Sequence, residues 1–558
     1  MKDASPSWRS STFVSGLAGG VCLFLAFPPV GWSWLAWIAP WFWLRLIVRP
    51  QDSLGKHPYW SLWAAGALHW LAMMQGVRLA HWALYFGWLT LAAYLAIYPV
   101  MFVGLTRRLT HRWKWPLMIA APVVWTGLEL FRGRFLTGLS VALLGHTQTD
   151  WPLILQIADF SGGYGVSFLV MLTSAGVFQA FYNGRAKTAW RSLVPLAAVW
   201  AGVIGYGGWR LGETPPQAVQ TAEPWRAALI QSSADVVFEP DAERDLHHLG
   251  RCWELSQKAW RKHPDLDLIV WPESMFAAAG RELITLDQQP TPEWEKHPQE
   301  YLRRIETQQR AFATELSLLT EGFRRPDGSG PQFLLGAYTY EIEQGQSRQY
   351  NSALWIDSEG AISGRYYKVH PVMFGEYIPL GEQFPWLYSL TPMAGGLARG
   401  PGPVCFEDKN TRFAPNICFE ATVPHLVRQQ VAQLRDESRA PDVLVNVSND
   451  GWFRGSSILD YHYASNVFRA IEHRRPVIVA SNTGISVWLD DAGRVQKKSP
   501  RRQEDWIVAE IRPAWRNGLY TTIGDGGAGG CLAICAALSM LAMWGKWRTS
   551  SELPKNKE

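Results

Sequence analysis

The chain has 558 residues, a formal net charge of +5, 13% aromatic residues and 31 tryptophans. That length exceeds one ordinary domain, and so modest a charge gives no ground for a nucleic-acid partner. A mean hydropathy of -0.08 would suit a soluble protein if the chain were uniform. It is not uniform: the N-terminal portion is apolar, and heavy use of tryptophan favours a bilayer interface, where indole keeps an apolar edge while its N–H donates to water.

In chain order, apolar runs at 11–28, 32–48, 59–77, 83–106, 116–131, 162–182, 192–209 and 527–545 approach the roughly 17–25 residues that a helix needs to cross a bilayer. Pro, Trp, Arg45 and His69 interrupt the second and third. The first resembles a signal peptide in length, but FPPVGWSW follows it without a small-residue cleavage pattern, so it counts as a membrane helix. With the N-terminus inside, Lys2, Arg9, Arg49, Lys56, Arg107, Arg108, Arg112, Lys114, Arg185, Lys187 and Arg191 fall on one side. The tail adds Lys546, Arg548, Lys555 and Lys557, whereas the opposite connections carry only Arg78, Arg132 and Arg134. This excess predicts eight crossings and places residues 225–512 outside the cytoplasm.

The expected division is a seven-helix bundle over 1–211, a linker over 212–224 (GETPPQAVQTAEP), a globular domain over 225–512, and a C-terminal helix with a cytoplasmic tail over 513–558. Within 225–512, RAALIQ, LDLIVWPES, QFLLGAYTY, NSALWID, DVLVNVSN and PVIVASNTG have the short apolar character of buried strands. AERDLHHLGRCWELSQKAWRKH and HYASNVFRAIEHRRP alternate with them as helices. The pattern predicts an α/β layered domain.

Six cysteines are present, Cys22, Cys252, Cys405, Cys418, Cys531 and Cys535, without a CxxC pair or a Cys/His cluster of metal-ligand spacing. No metal site or cofactor is therefore expected. Cys252 and Cys405 could pair only if the fold joined them.

Glu273 ends an apolar strand in LIVWPES, where a cleft-facing carboxylate would serve as a proton acceptor. Taken alone, a solvated carboxylate on a turn is the simpler reading. Lys368 in GRYYKVHPVMFGEYIPL would ordinarily be a surface charge, yet it sits among aromatics with Glu376 eight residues on. An ammonium there can lower a thiol pKa and stabilise an oxyanion. Cys418 in NICFE, taken singly, is a packed thiol. On a strand-to-helix elbow it would be a nucleophile, with the Phe419 amide as oxyanion donor.

Together, Glu in WPES, Lys in YYK before FGEY, and Cys in CFE resemble the Glu-Lys-Cys set of the nitrilase (carbon–nitrogen hydrolase) superfamily. The resemblance implies an α-β-β-α sandwich and a thioester acyl-enzyme. LAFPPVGWSWLAWIAP, GLELFRGRFLTG, LLGHTQTD and GGYGVSFLV in the apolar part resemble the apolipoprotein N-acyltransferase family, as do YNSALWID, FGEYIPLGE, NDGWF and RAIEHRRPVIVASNTGIS in the domain. Carried over, this makes Glu273 the general base, Lys368 the charge stabiliser and Cys418 the nucleophile. Glu376 becomes a supporting carboxylate, and Phe419 and Glu420 become the neighbours that shape the acyl pocket.

The implied reaction is ping-pong acyl transfer from a membrane phospholipid, with phosphatidylethanolamine as the expected donor. The acceptor is the α-amino group of the N-terminal S-diacylglyceryl cysteine of an apolipoprotein. The implied location is the bacterial inner membrane, with the catalytic domain on the periplasmic side. A membrane-tethered amidase acting on a small amide is the alternative. Three departures concern substrate gating: Arg454 follows NDGWF where the family often has Gly, Met373 stands where Pro is common, and LIQSSADVVFEPD lacks a Pro-Gln and a Lys-Trp, with Phe238 as a stand-in.

Overall fold

The computed structural model describes residues 11–79, 81–182, 186–236, 242–276, 282–285, 298–343, 346–381, 383–390 and 396–551; Phe238 lies outside them. The chain forms two compact units, one of residues 1–75, 85–212 and 523–558, the other of 76–84 and 213–522. The first unit is thus not one continuous stretch of the N-terminal part. Residues 76–84 fold with the α/β unit, where Gly76 packs against Ser456 and Ile458.

The first unit is helical, with helices at Thr12–Ala26, Ala39–Val48, Pro58–Met73, Leu84–Leu95, Ile97–His111, Leu117–Arg134, Ala158–Tyr182, Ala186–Gly212 and Gly526–Ser551. Among the described residues, four helical stretches are long and apolar enough to cross a membrane: Leu84–His111, Ala158–Tyr182, Ala189–Gly212 and Tyr520–Leu541. Thr12–Ala26 and Ser33–Val48 are shorter apolar helices. Two buried charged groups here find partners on neighbouring helices. Arg107 donates to the carbonyls of Leu46, Ile47 and Arg49 at 2.6, 3.0 and 2.8 Å, capping the C-terminal end of Ala39–Val48. Asp159 accepts from Arg210 at 2.8 Å and from the Tyr206 hydroxyl at 2.6 Å.

The second unit contains two sheets. One has seven strands, β1 Trp225–Gln231, β2 Leu268–Val270, β3 Glu282–Thr285, β4 Gln332–Glu343, β5 Gln346–Ile356, β6 Ile362–Tyr367 and, far along the chain, β13 Asp505–Ile511. Their order is β13-β1-β2-β4-β5-β6, with β3 also pairing β4. The other has six strands in the order β12-β11-β10-β9-β8-β7: β7 Phe406–Asp408, β8 Thr411–Ile417, β9 Val443–Ser448, β10 Val477–Ser481, β11 Val487–Leu489 and β12 Val495–Lys498.

Period-2 alternation sorts the side chains of β1 between two cores. Trp225, Ala227 and Leu229 face the second sheet, packing with Phe413, Val445, Ile478 and Ala480. Ala228 and Ile230 face helices Ala242–Lys262 and Pro298–Glu321, meeting Cys252, Leu255, Phe312 and Leu316. On the second sheet, Gln430 of helix Pro424–Asp436 bonds to Pro415 O and Asn416 of β8. The unit is therefore a helix–sheet–sheet–helix sandwich. All six cysteines are free, so Cys252 and Cys405 do not pair.

Candidate active site

Parallel pairing makes the strand ends converge. β1 runs parallel to β2 and β2 to β4, while β8 runs parallel to β9 and β9 to β10. Their C-terminal ends therefore share an edge, the usual place for a site in such sheets. Glu273 follows β2, Lys368 follows β6, Cys418 follows β8, and Asn449 follows β9.

All three residues of the expected set are buried, Glu273 at 4%, Lys368 at 2% and Cys418 at 8% relative exposure. Lys368 Nζ donates to Glu273 Oε1 at 3.2 Å and to Glu376 Oε1 at 2.8 Å. Asn351 Nδ2 bridges the same two carboxylates, at 2.6 Å from Glu273 Oε1 and 3.1 Å from Glu376 Oε1. The second oxygen of Glu273 accepts the Asn449 backbone N–H at 2.8 Å. The second oxygen of Glu376 accepts the Val372 N–H at 2.8 Å. Each carboxylate is thus held from two sides, as a buried charge requires.

Close approach of backbone supports Glu273 from below. A Cβ at Gly336 of β4 would collide with Pro272 O and stand 2.5 Å from Glu273 Cα, so only glycine leaves room for this segment.

Cys418 has φ +54°, the left-handed region, and opens a tight turn, Cys418–Thr422. A side chain there costs about 1–2 kcal/mol, and such strain gathers where a reactive group must be presented. Phe419 is half-buried, and its ring stacks on His370 at 6.2 Å and 17°. Glu420 is fully buried and accepts four hydrogen bonds. Oε2 takes the Ile417 N–H at 2.7 Å and the Tyr366 hydroxyl at 2.8 Å, and Oε1 takes the N–H groups of Val369 and His370 at 2.7 and 2.9 Å. Glu420, expected to be a neighbour that shapes the acyl pocket, ties the segment just after Lys368 to the Cys418 elbow.

Glu420→Gln would turn an NH2 group toward two N–H donors. Each lost acceptor costs about 1–3 kcal/mol, so the variant should unfold at a lower temperature and lose transfer rate. Calorimetry alongside the rate measurement checks this; an unchanged melting temperature would refute the clamp.

Sequence reasoning had missed a second polar group beside the thiol. Asp450 Oδ1 lies 2.6 Å from His462 Nδ1 and accepts Ser448 Oγ at 3.2 Å, while Oδ2 accepts Ser481 Oγ at 2.7 Å. Asn351 and Asn449 likewise enter the site only through the fold. The available signal was positional, since each Asn lies within or at the end of an apolar strand, where an amide has to find partners. Of the gating departures, Arg454 is exposed with φ +47°, a conformation that favours glycine. Met373 is half-buried and bridges to Tyr377.

The electrostatics favour a neutral resting thiol. Burial pushes Cys252 to about 12 and Cys405 to about 11. Cys418 is raised well above the ordinary thiol value of 9.0, first by burial and then by the Glu273 charge, with Lys368 pulling the other way. Burial opposes the charge on Lys368, but Glu273 and Glu376 overcome it and hold the ammonium protonated. For Asp450 burial favours the acid, yet His462, Ser481 and Ser448 keep the carboxylate below its usual range.

A raised thiol pKa means less thiolate at neutral pH than in a free cysteine. Alkylation of Cys418 by iodoacetamide should accordingly rise with pH and still be rising at pH 9.0. Peptide mass spectrometry across pH reads this directly; a plateau near neutrality would show a preformed thiolate.

A family model described as the apolipoprotein N-acyltransferase N-terminal domain matches residues 19–176, and one described as carbon-nitrogen hydrolase matches residues 226–517. An apolipoprotein N-acyltransferase of Rhodopirellula baltica is 32% identical over 94% of this chain and 96% of its own length. One of Geobacter metallireducens is 31% identical over 95% of each.

Proposed function

The chain belongs to the apolipoprotein N-acyltransferase family, and from that premise we propose how its residues carry an acyl chain from a membrane phospholipid to a lipoprotein. It is an acyltransferase of lipoprotein N-acylation. The observation that carries the residue-level reading is the convergence of Glu273, Lys368 and the left-handed Cys418 elbow at one edge of the sandwich.

Glu273 takes the Cys418 S–H proton as the sulfur attacks an ester carbonyl of the phospholipid. The oxyanion is stabilised by the Lys368 ammonium and the Phe419 N–H. Collapse breaks the ester C–O bond, and the departing lysophospholipid oxygen takes the proton from Glu273. The acyl group is now a thioester on Cys418. The α-amino group of an S-diacylglyceryl cysteine attacks it and gives its proton to Glu273. Collapse forms the amide and expels the Cys418 sulfur, which recovers the proton from Glu273. Because the resting thiol is neutral, deprotonation and attack go together, which is general-base catalysis by Glu273. Glu376 and Asn351 are positioning residues that fix Glu273 and Lys368.

The donor in this reading is phosphatidylethanolamine. The chain resides in the bacterial inner membrane, crosses it eight times and carries residues 225–512 on the periplasmic side. The long apolar helices and the one-sided Lys/Arg distribution support this arrangement.

Incubation of the purified protein with labelled phosphatidylethanolamine, followed by mass spectrometry of the Cys418 peptide, tests the chemistry. An acyl adduct on Cys418 that disappears on adding a diacylglyceryl peptide is expected. No adduct, or full transfer by Cys418→Ala, would overturn it.

A further inference from the structure

The acyl-transfer course above leaves the Asp450–His462 pair without a task, although it borders the reactive sulfur. Cys418 Sγ, one carboxylate oxygen of Asp450 and one ring nitrogen of His462 all lie within 4.8 Å of one another, and all three residues are buried. Thiolate, carboxylate and imidazole are the ligand types that Zn2+ takes, and a site that keeps an open position usually has three protein ligands. Ligand atoms at about 2.0–2.3 Å from a tetrahedral ion stand about 3.3–3.8 Å apart, so side-chain shifts of about 1 Å or less would complete the site.

Outer contacts support the same reading. Asp450 is already oriented by Ser481 Oγ at 2.7 Å and Ser448 Oγ at 3.2 Å, the kind of hydrogen bonds that hold a ligating carboxylate in place. The Phe453 ring meets the His462 ring edge-on at 5.8 Å, an apolar wall on that side. The surrounding charge admits a cation, because two carboxylates, Glu273 and Glu376, flank the one Lys368 ammonium, and the Asp450 carboxylate acts on the same sulfur.

The geometry points to a three-ligand site at Cys418, Asp450 and His462 for a thiophilic divalent cation such as Zn2+, whose binding blocks acyl transfer. The inhibitory consequence rests on Cys418 being the acyl carrier. On binding, the sulfur–metal bond replaces the S–H bond and the thiol proton leaves to solvent; any proton on the ligating His462 nitrogen leaves with it or moves to the other ring nitrogen, and no oxidation is involved. The bound sulfur can no longer attack an ester. An isolated thiol would bind the ion far more weakly, because Asp450 and His462 supply the second and third bonds.

The test uses the full-length protein in detergent. Iodoacetamide labelling of Cys418, read by peptide mass spectrometry, is compared with and without Zn2+, and Cd2+ titration follows the ultraviolet sulfur-to-metal band. Zn2+ should protect Cys418, a chelator should reverse the protection, and His462→Gln should weaken Cd2+ binding by about tenfold or more. Equal labelling of wild-type Cys418 with and without Zn2+ would overturn the site. So would unchanged Cd2+ affinity in folded His462→Gln. Should that variant not fold, Asp450→Asn is read in the same way, and the wild-type protection needs no variant. The two readings fail separately: protection without an acyl adduct removes the acyl carrier, whereas an adduct without protection removes the metal site.

Discussion

Glu273→Gln is expected to slow formation of the Cys418 acyl adduct by about 10²–10⁴-fold, the usual contribution of a positioned general base. The amide is nearly the same size and can still accept from Lys368 and Asn351, which at present meet Glu273 Oε1 at 3.2 and 2.6 Å. It cannot take a proton from a thiol whose own pKa is raised well above 9.0. Its NH2 group would also face the Asn449 N–H, which now donates to Oε2 at 2.8 Å, so a stability loss of about 1–3 kcal/mol should accompany the rate loss. Single-turnover adduct formation and thermal unfolding separate the two effects. Adduct formation within about tenfold of wild type would remove Glu273 from the base role.

Lys368→Met should affect both stability and rate. Lys368 Nζ is the cation between Glu273 and Glu376, and all three side chains are largely withdrawn from water. Methionine fills similar space but leaves two carboxylates sharing only Asn351 Nδ2. Breaking a buried ion pair by removing one partner costs about 3–5 kcal/mol, and loss of an oxyanion donor costs about 10²–10³ in rate. A fully folded Lys368→Met protein with near-normal transfer would refute both the structural and the catalytic role. Lys368→Arg keeps the charge, so it should recover more stability than activity, since a planar guanidinium cannot reproduce the same point contact.

Much of the fold was legible in the chain. The strand of RAALIQ and the helix of AERDLHHLGRCWELSQKAWRKH match β1 and Ala242–Lys262 closely. Their signals are local: a short buried run in one, a helical stripe in the other. Strand β8, which presents Cys418, carries no such plain local signal. β8 reads TRFAPNI, and its Pro and Asn obscure a strand buried on both faces. Residues 76–84 look like an ordinary connection between apolar runs, and only packing assigns them to the α/β unit.

The sequence by itself determined an apolar helical part and an α/β part, and it singled out Glu273, Lys368 and Cys418 as candidates for one site. It could do so because run length, periodicity and short motifs are properties of neighbouring residues. Only the tertiary structure decided what each group touches. Glu273 meets Asn351, Lys368 and the Asn449 amide across 78, 95 and 176 positions of sequence. It likewise decided that Glu420 is a strut, and that Asp450 and His462 stand beside the Cys418 sulfur despite lacking any metal-like spacing. The physical reason is sheet order: parallel strands remote in sequence end on one edge, and nothing local to any of them records which neighbours they will have.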